Sequence, residues 1–288
     1  MRFIDGSIVS RLAGALVVEG RQRPLIAATI AAAALELHGR TLTRLPGAIA
    51  RTVVAVYQDD IDREALDLAG AVLRGHGITL LLREMDSGPR DFDTMRLSTR
   101  NRAMDEMEAC EREVLLQDRE TPTLVDGLLE RRLVRVPDRS FPVVGLVKQH
   151  AATYLPGDLQ EMLYTLRPAQ RTPAFAMEID NVPLVNTYVR LSAQPGASPS
   201  YGVVRVTAPV DYLERRHGGE ARGRYLSALA GYLHGLRHRD EAYGRAGISI
   251  EPIVRVEEHL TAIRPSIDAA IARLHRLYRD AGAMTGVS

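Results

Sequence analysis

Two strand-like runs, far apart in the chain, both finish in Asp-Gly: Arg2-Phe3-Ile4-Asp5-Gly6-Ser7 at the start and Thr123-Leu124-Val125-Asp126-Gly127-Leu128 near the middle. An apolar run that places a carboxylate where the backbone turns is an economical way to hold an acid at the rim of a buried sheet. Two such carboxylates from separate strands could share one divalent metal.

The 288 residues, 45% of them hydrophobic, are enough to bury a substantial core in one elaborated domain. With 37 Lys plus Arg against 36 Asp plus Glu, the net charge is +1, so any polyanion must be held by a local patch rather than by a global field. The lone Cys110 excludes an internal disulfide, and no Cys/His zinc framework is present. The start of the chain carries an acid at position five and lacks the apolar core of a signal peptide. The most apolar stretch, Leu25 to Leu35, is about half of the roughly 20 residues a membrane span needs. The expectation is a cytoplasmic protein without a membrane anchor.

Periodicity predicts a mixed α/β chain. Gly-punctuated strands over 3–9, 14–20 and 24–33 predict an antiparallel meander, followed by a strand over 52–58. Asp59 and Asp60 are candidate caps for a helix carrying Ile61, Ala65, Leu68, Ala69, Val72 and Leu73. A short strand follows at 78–82, then a loop at Asp86-Ser87-Gly88-Pro89. A long helix is expected over about 94–117, with Leu97, Met104, Met107, Cys110 and Val114 on one stripe. After the second Asp-Gly strand come a buried strand at 140–148, a hairpin formed by 184–191 and 201–208, and two amphipathic helices, over 221–238 and from Pro265 onward.

An Asp on the first strand, an acid on the long helix and an Asp on a later strand can converge on one point. Such a set suits Mg²⁺ or Mn²⁺ and hydrolysis of a nucleic-acid backbone. Among Asp105, Glu106, Glu108, Glu111 and Glu113, position at the edge of the apolar stripe favours Glu106, with Glu108 and Glu113 as alternatives. Lys148, closing an apolar strand, is suited to contact a phosphate or an attacking water. Arg131, Arg132, Arg135 and Arg139 form a candidate DNA-tracking patch, and Tyr154 and Tyr201 are candidate base-stacking residues. His234 and His238 are four apart but lack the flanking Glu of a zinc hydrolase. No phosphate-binding P-loop and no Gly-x-Ser-x-Gly elbow occurs.

Four motifs in this order, Phe3-Ile4-Asp5-Gly6-Ser7, Arg102-Ala103-Met104-Asp105-Glu106, Leu124-Val125-Asp126-Gly127-Leu128-Leu129 and Val143-Val144-Gly145-Leu146-Val147-Lys148, resemble those of the NurA nuclease family over nearly the whole chain. The resemblance implies a single NurA-like domain over 1–288. Its ribonuclease H-like core spans about 1–155, with a mixed sheet, flanking helices and an added hairpin, and C-terminal strands and helices fill 156–288. It further implies a homodimer that cuts DNA with Mn²⁺ or Mg²⁺, leaves a 3′-hydroxyl, and works with a hexameric HerA-type ATPase in end resection, repair or defence. Asp5, Glu106 and Asp126 would be metal ligands, with Lys148 assisting. The segment Glu251-Pro252 to His259 resembles the family's late motif and places His259 at the metal site, with Glu257 or Glu258 as substitutes. The alternative is a catalytically silent DNA-binding or adaptor subunit of such a complex.

Overall fold

The computed structural model describes residues 1–59, 61–84, 91–148, 154–155, 157–194, 196–240 and 246–285. Ten strands and eight α-helices follow one another along them. The first half holds β1 (Arg2–Val18), β2 (Arg21–His38), β3 (Thr41–Arg44), β4 (Ile49–Tyr57), α1 (Arg63–Gly75), β5 (Ile78–Arg83) and α2 (Phe92–Leu116). The middle holds β6 (Thr123–Asp126), α3 (Leu129–Leu133), β7 (Val143–Val147) and α4 (Gly157–Thr165). Then come β8 (Phe175–Ile179), β9 (Val182–Arg190), β10 (Val203–Pro209), α5 (Val210–His217), α6 (Glu220–Gly235), α7 (Glu251–Ile263) and α8 (Ile267–Thr285). The expected α/β class, with a mixed sheet and flanking helices, is what forms, and the sheet has ten strands among the described residues. No helix among the described residues is long and apolar enough to cross a membrane.

The opening differs from the expected meander. The segments expected as separate strands at 3–9 and 14–20 are one 17-residue strand, because no residue between them adopts a turn. Reversal comes at Glu19-Gly20, whose φ angles of 49° and 74° make the tight hairpin turn that suits a right-handed strand twist. The returning β2 is buried from Ile26 to Leu35, and its alanines leave little side-chain bulk on either face. Asp62, three residues beyond the expected Asp59 cap, caps α1 by accepting from the Ala65 amide. Asp60 and the loop expected at 86–89 lie outside the described residues. On α2 the stripe of Met107, Cys110 and Val114 is buried, whereas Leu97 is exposed.

The chain divides into two compact units, the first from 1–5, 33–47 and 111–259 and the second from 6–32, 48–110 and 260–288. In the first, the start of β1 pairs in parallel with β6, and β6 in parallel with β7; β10, β9 and β8 continue the sheet antiparallel. The β9–β10 hairpin forms where expected, with Val203 opposite Arg190. The buried Arg2 guanidinium fixes the first strand by donating to the carbonyls of Val114 (2.9 Å) and Asp118 (2.6 Å), which caps the C-terminal end of α2. In the second unit, β2 pairs antiparallel with β4, and β4 in parallel with β5. Helix α1 buries Leu66 and Gly70, with Leu80 of β5 against the latter. The C-terminal region holds three helices rather than the two expected after 220, α7 being the addition.

Candidate metal centre

Strand register brings the two aspartates together. In the first unit, Phe3 lies opposite Leu124 and Ile4 opposite Val125, so Asp5 and Asp126 are the next pair, on the same face of parallel strands. The turn expected at both Asp-Gly steps forms at only one. Gly127 adopts φ +92°, a conformation that favours glycine, and its amide bonds the Leu146 carbonyl, ending β6 at Asp126. Asp5 instead sits inside β1, which runs on unbroken through Gly6. Asp126 is opposite Leu146 in β7, so Lys148, two residues further on, points to the same side. Its Nζ lies 2.9 Å from Asp126 Oδ2 and 3.4 Å from Glu257 Oε1.

Glu257 arrives on α7. Ile253, Val256 and Leu260 are fully buried, and Glu257 is four residues after the first and three before the last. It thus sits on the apolar face of the helix, where a carboxylate needs a charged partner. Asp5, Asp126 and Glu257 each offer one oxygen within 4.8 Å of the others, the one such acidic group among the described residues.

Three carboxylates this close repel. At an effective dielectric of about 20, each like-charge pair costs roughly 3–4 kcal/mol when ionised. Burial, then the charges of Asp126 and Glu111, push the Asp5 carboxyl well above the ordinary aspartate range. Burial also raises Asp126, against the opposing pull of the Lys148 ammonium. Burial alone would lower Lys148, but Asp126, Glu257 and Asp5 outweigh it and hold the ammonium above the ordinary lysine value. Counting three carboxylates against one ammonium leaves two negative charges, the charge a divalent cation would cancel.

The donor set fits such an ion. All three ligands are oxygens, the preference of Mg²⁺ and Mn²⁺, and Asp126 Oδ1 is buried without a hydrogen-bond partner. At least two of the three oxygen pairs around an octahedral ion are cis at ~2.9 Å, so oxygens spread up to 4.8 Å apart would draw together to share one.

The other sequence-derived candidates are placed as follows. Glu106 belongs to the second unit, where it pairs with Arg51 at 2.8 Å and Arg102 at 3.5 Å. Glu113 is exposed and Glu108 half-buried on α2. The fully buried acid of that helix is Glu111, 2.5 Å from the buried Arg132. Its place was readable: Glu111 follows Met107 by four residues and precedes Val114 by three, which puts it on the apolar stripe itself. His259 is half-buried with Nδ1 unpartnered; burial and the nearby Arg44 keep its pKa below the ordinary histidine value. Glu258 is exposed and pairs with Arg255.

In the arginine patch, Arg131 and Arg135 are exposed. Arg132 is committed to Glu111 and the Leu128 carbonyl, and Arg139 to the carbonyls of Leu133, Val136 and Asn181. Tyr154 packs its ring under Arg205, and the Tyr201 ring fills the space beside Gly247. His234 bonds the Leu191 carbonyl and His238 bonds Glu251, so the histidine pair serves local structure.

In comparisons with known proteins, no family model matches the chain and no curated protein sequence matches it.

Proposed function

We propose that this protein is a metal-dependent DNA nuclease of the NurA type, built on a ribonuclease H-like core and working with a HerA-type ATPase. The observation that carries the reading is the convergence of Asp5, Asp126 and Glu257 oxygens within 4.8 Å, with Asp126 Oδ1 buried and unpartnered. The arrangement of a long opening hairpin, with β1 followed by parallel β6 and β7, is in keeping with that core.

Asp5, Asp126 and Glu257 would hold Mn²⁺ or Mg²⁺, and a bound ion supplies an acidified water and charge neutralisation at phosphorus. Lys148 is positioned to donate from Nζ to a phosphate oxygen once the carboxylates have another cation to face. The neighbouring Glu111, whose charge helps to raise Asp5, is itself held by Arg132. Dimer formation and delivery of DNA by the ATPase belong to the same proposal and rest on the sequence resemblance.

A second reading has its own observation. Lys148 already bridges Asp126 and Glu257, so the cluster also has the form of a structural ion-pair network in a catalytically silent DNA-binding or adaptor subunit. One experiment separates the two: Mn²⁺ binding by calorimetry, and cleavage of labelled single- and double-stranded DNA with Mn²⁺ or chelator, for the parent and for Asp5→Asn, Asp126→Asn and Glu257→Gln. Cleavage and Mn²⁺ binding lost together in folded variants support the nuclease. Cleavage retained in all three removes the site.

A further inference from the structure

Helix α8, in the second unit, carries a basic and aromatic exposed surface with no part in the metal centre. Successive residues of an α-helix advance by about 100°, which places His275, Ala272, Arg279 and Arg276 on one arc and Tyr278 at its edge beside His275. All five are exposed, and Tyr278 is the most exposed large hydrophobic side chain among the described residues, at 76%. Together they line an open depression of about 580 Å³. Neither Arg276 nor Arg279 is held in an ion pair among the described residues, whereas the Asp268 carboxylate of the same helix is taken by Arg11. With two arginines against the exposed Asp280 that follows Arg276 by four residues, the arc keeps a net positive charge beside an uncovered aromatic ring, on a protein whose overall charge of +1 supplies no general attraction for polyanions.

We propose that this face of α8 is a binding site for single-stranded nucleic acid, with Arg276 and Arg279 on backbone phosphates and Tyr278 stacked on an unpaired base. Arginine and an aromatic within one helical turn match the two recurring needs of such strands, a cationic track and a flat apolar platform. An exposed tyrosine left bare in water gains by stacking, and unpaired bases offer a π-face whatever their sequence. A purely apolar partner would leave the guanidinium groups desolvated and unpaired, which the charge of the arc disfavours. The site extends the nuclease reading, because it names a second contact for the same class of substrate. It stands on α8 alone and needs neither metal nor cleavage.

The test is fluorescence anisotropy of the full chain with fluorescein-labelled dT20 in chelator, titrated across salt. The parent is expected to bind, and Tyr278→Ala to lower affinity about tenfold while Tyr278→Phe retains it. Arg276→Ala with Arg279→Ala should lower affinity at least tenfold and reduce the slope of log affinity against log salt by about 1.4, two phosphates' worth. Substituting the exposed Arg100, on α2, should change neither. Parental affinity in the α8 variants, or no binding by the parent at low salt, overturns the proposal. The nuclease reading fails separately: Asp126→Asn should still bind dT20 through α8, and loss or retention of its Mn²⁺-dependent cleavage speaks only to the metal centre.

Discussion

The Lys148 ammonium stands 2.9 Å from one carboxylate oxygen of Asp126, while the other oxygen of that carboxylate is buried without a hydrogen-bond partner. One oxygen of the group thus meets a cation and the other does not, and the carboxylate stands in one cluster with Asp5 and Glu257. Charge, burial and geometry at this point determine how the protein should respond to pH, metal and substitution.

The first response concerns pH. Asp5 has a folded pKa raised well above its unfolded value, by burial and then by Asp126. Between those two values the folded state holds a proton that the unfolded state has released, so this contribution to stability is complete below about pH 4 and is lost as pH rises through the folded value. Asp126, also raised, acts in the same direction. Lys148, raised too, keeps its contribution until the alkaline range, above about pH 10. In chelator, the melting-temperature difference between the parent and Asp5→Asn should therefore turn against the parent as pH rises from 5 to 8. Mn²⁺ should reverse the trend, because it requires the ionised carboxylates. A difference independent of pH under both conditions would contradict the raised Asp5 pKa.

Removing the internal cation is the second case. Lys148→Met leaves the Asp126 and Glu257 carboxylates facing each other in a buried setting, and loss of one partner of such a pair costs about 3–5 kcal/mol. The variant should unfold at markedly lower urea concentration in chelator, and Mn²⁺ should restore much of the loss. If Mn²⁺ stabilises the parent and the variant equally, Lys148 and the metal do not answer the same charge.

Much of this was legible in the sequence, and what was missed has definite physical causes. The pairing of Asp5 with Asp126 follows from two apolar runs of matching length before each acid, and the hairpin at 184–208 from its β-branched runs. The Asp-Gly step misled at Gly6, because glycine permits a turn without requiring one and the continuing β1 has β2 to pair with. Glu257 entered only through the resemblance, as a substitute for His259, and Glu111 only as one of five acids on α2; their spacing to Ile253 and Leu260, and to Met107 and Val114, was the available signal that both lie on apolar helix faces. Helix α7 hid behind Pro252, which is tolerated in the first turn of a helix because its missing amide has no partner there.

The Glu111–Arg132 pair supplies a third prediction. Both side chains are buried, at 1% and 7% exposure, and their charged atoms are 2.5 Å apart. Glu111→Gln or Arg132→Met alone should each cost roughly 3–5 kcal/mol, whereas the double variant should cost less than the sum, because it leaves no lone buried charge. A denaturant double-mutant cycle measures the coupling. Additive losses would show that each group is compensated elsewhere.

Gly145 is the fourth test and reaches the metal centre only through packing. A Cβ there would lie 2.6 Å from Thr207 Oγ1, 2.8 Å from Leu129 Cβ and 3.2 Å from the Gly127 carbonyl, so β7 is held close to β10 and to the turn that ends β6 at Asp126. The Thr207 hydroxyl could rotate aside, but the Leu129 Cβ and the Gly127 backbone are anchored. Gly145→Ala must therefore shift α3 or the 126–128 turn, at a cost of about 1–3 kcal/mol for overpacking. A shift of that turn also moves Asp126 away from Asp5 and Glu257, so Mn²⁺ affinity should fall more than the stability loss alone explains. Calorimetry at a temperature where the variant is fully folded separates the two effects: unchanged affinity there would mean that the turn holds its position and the strain is absorbed at Thr207.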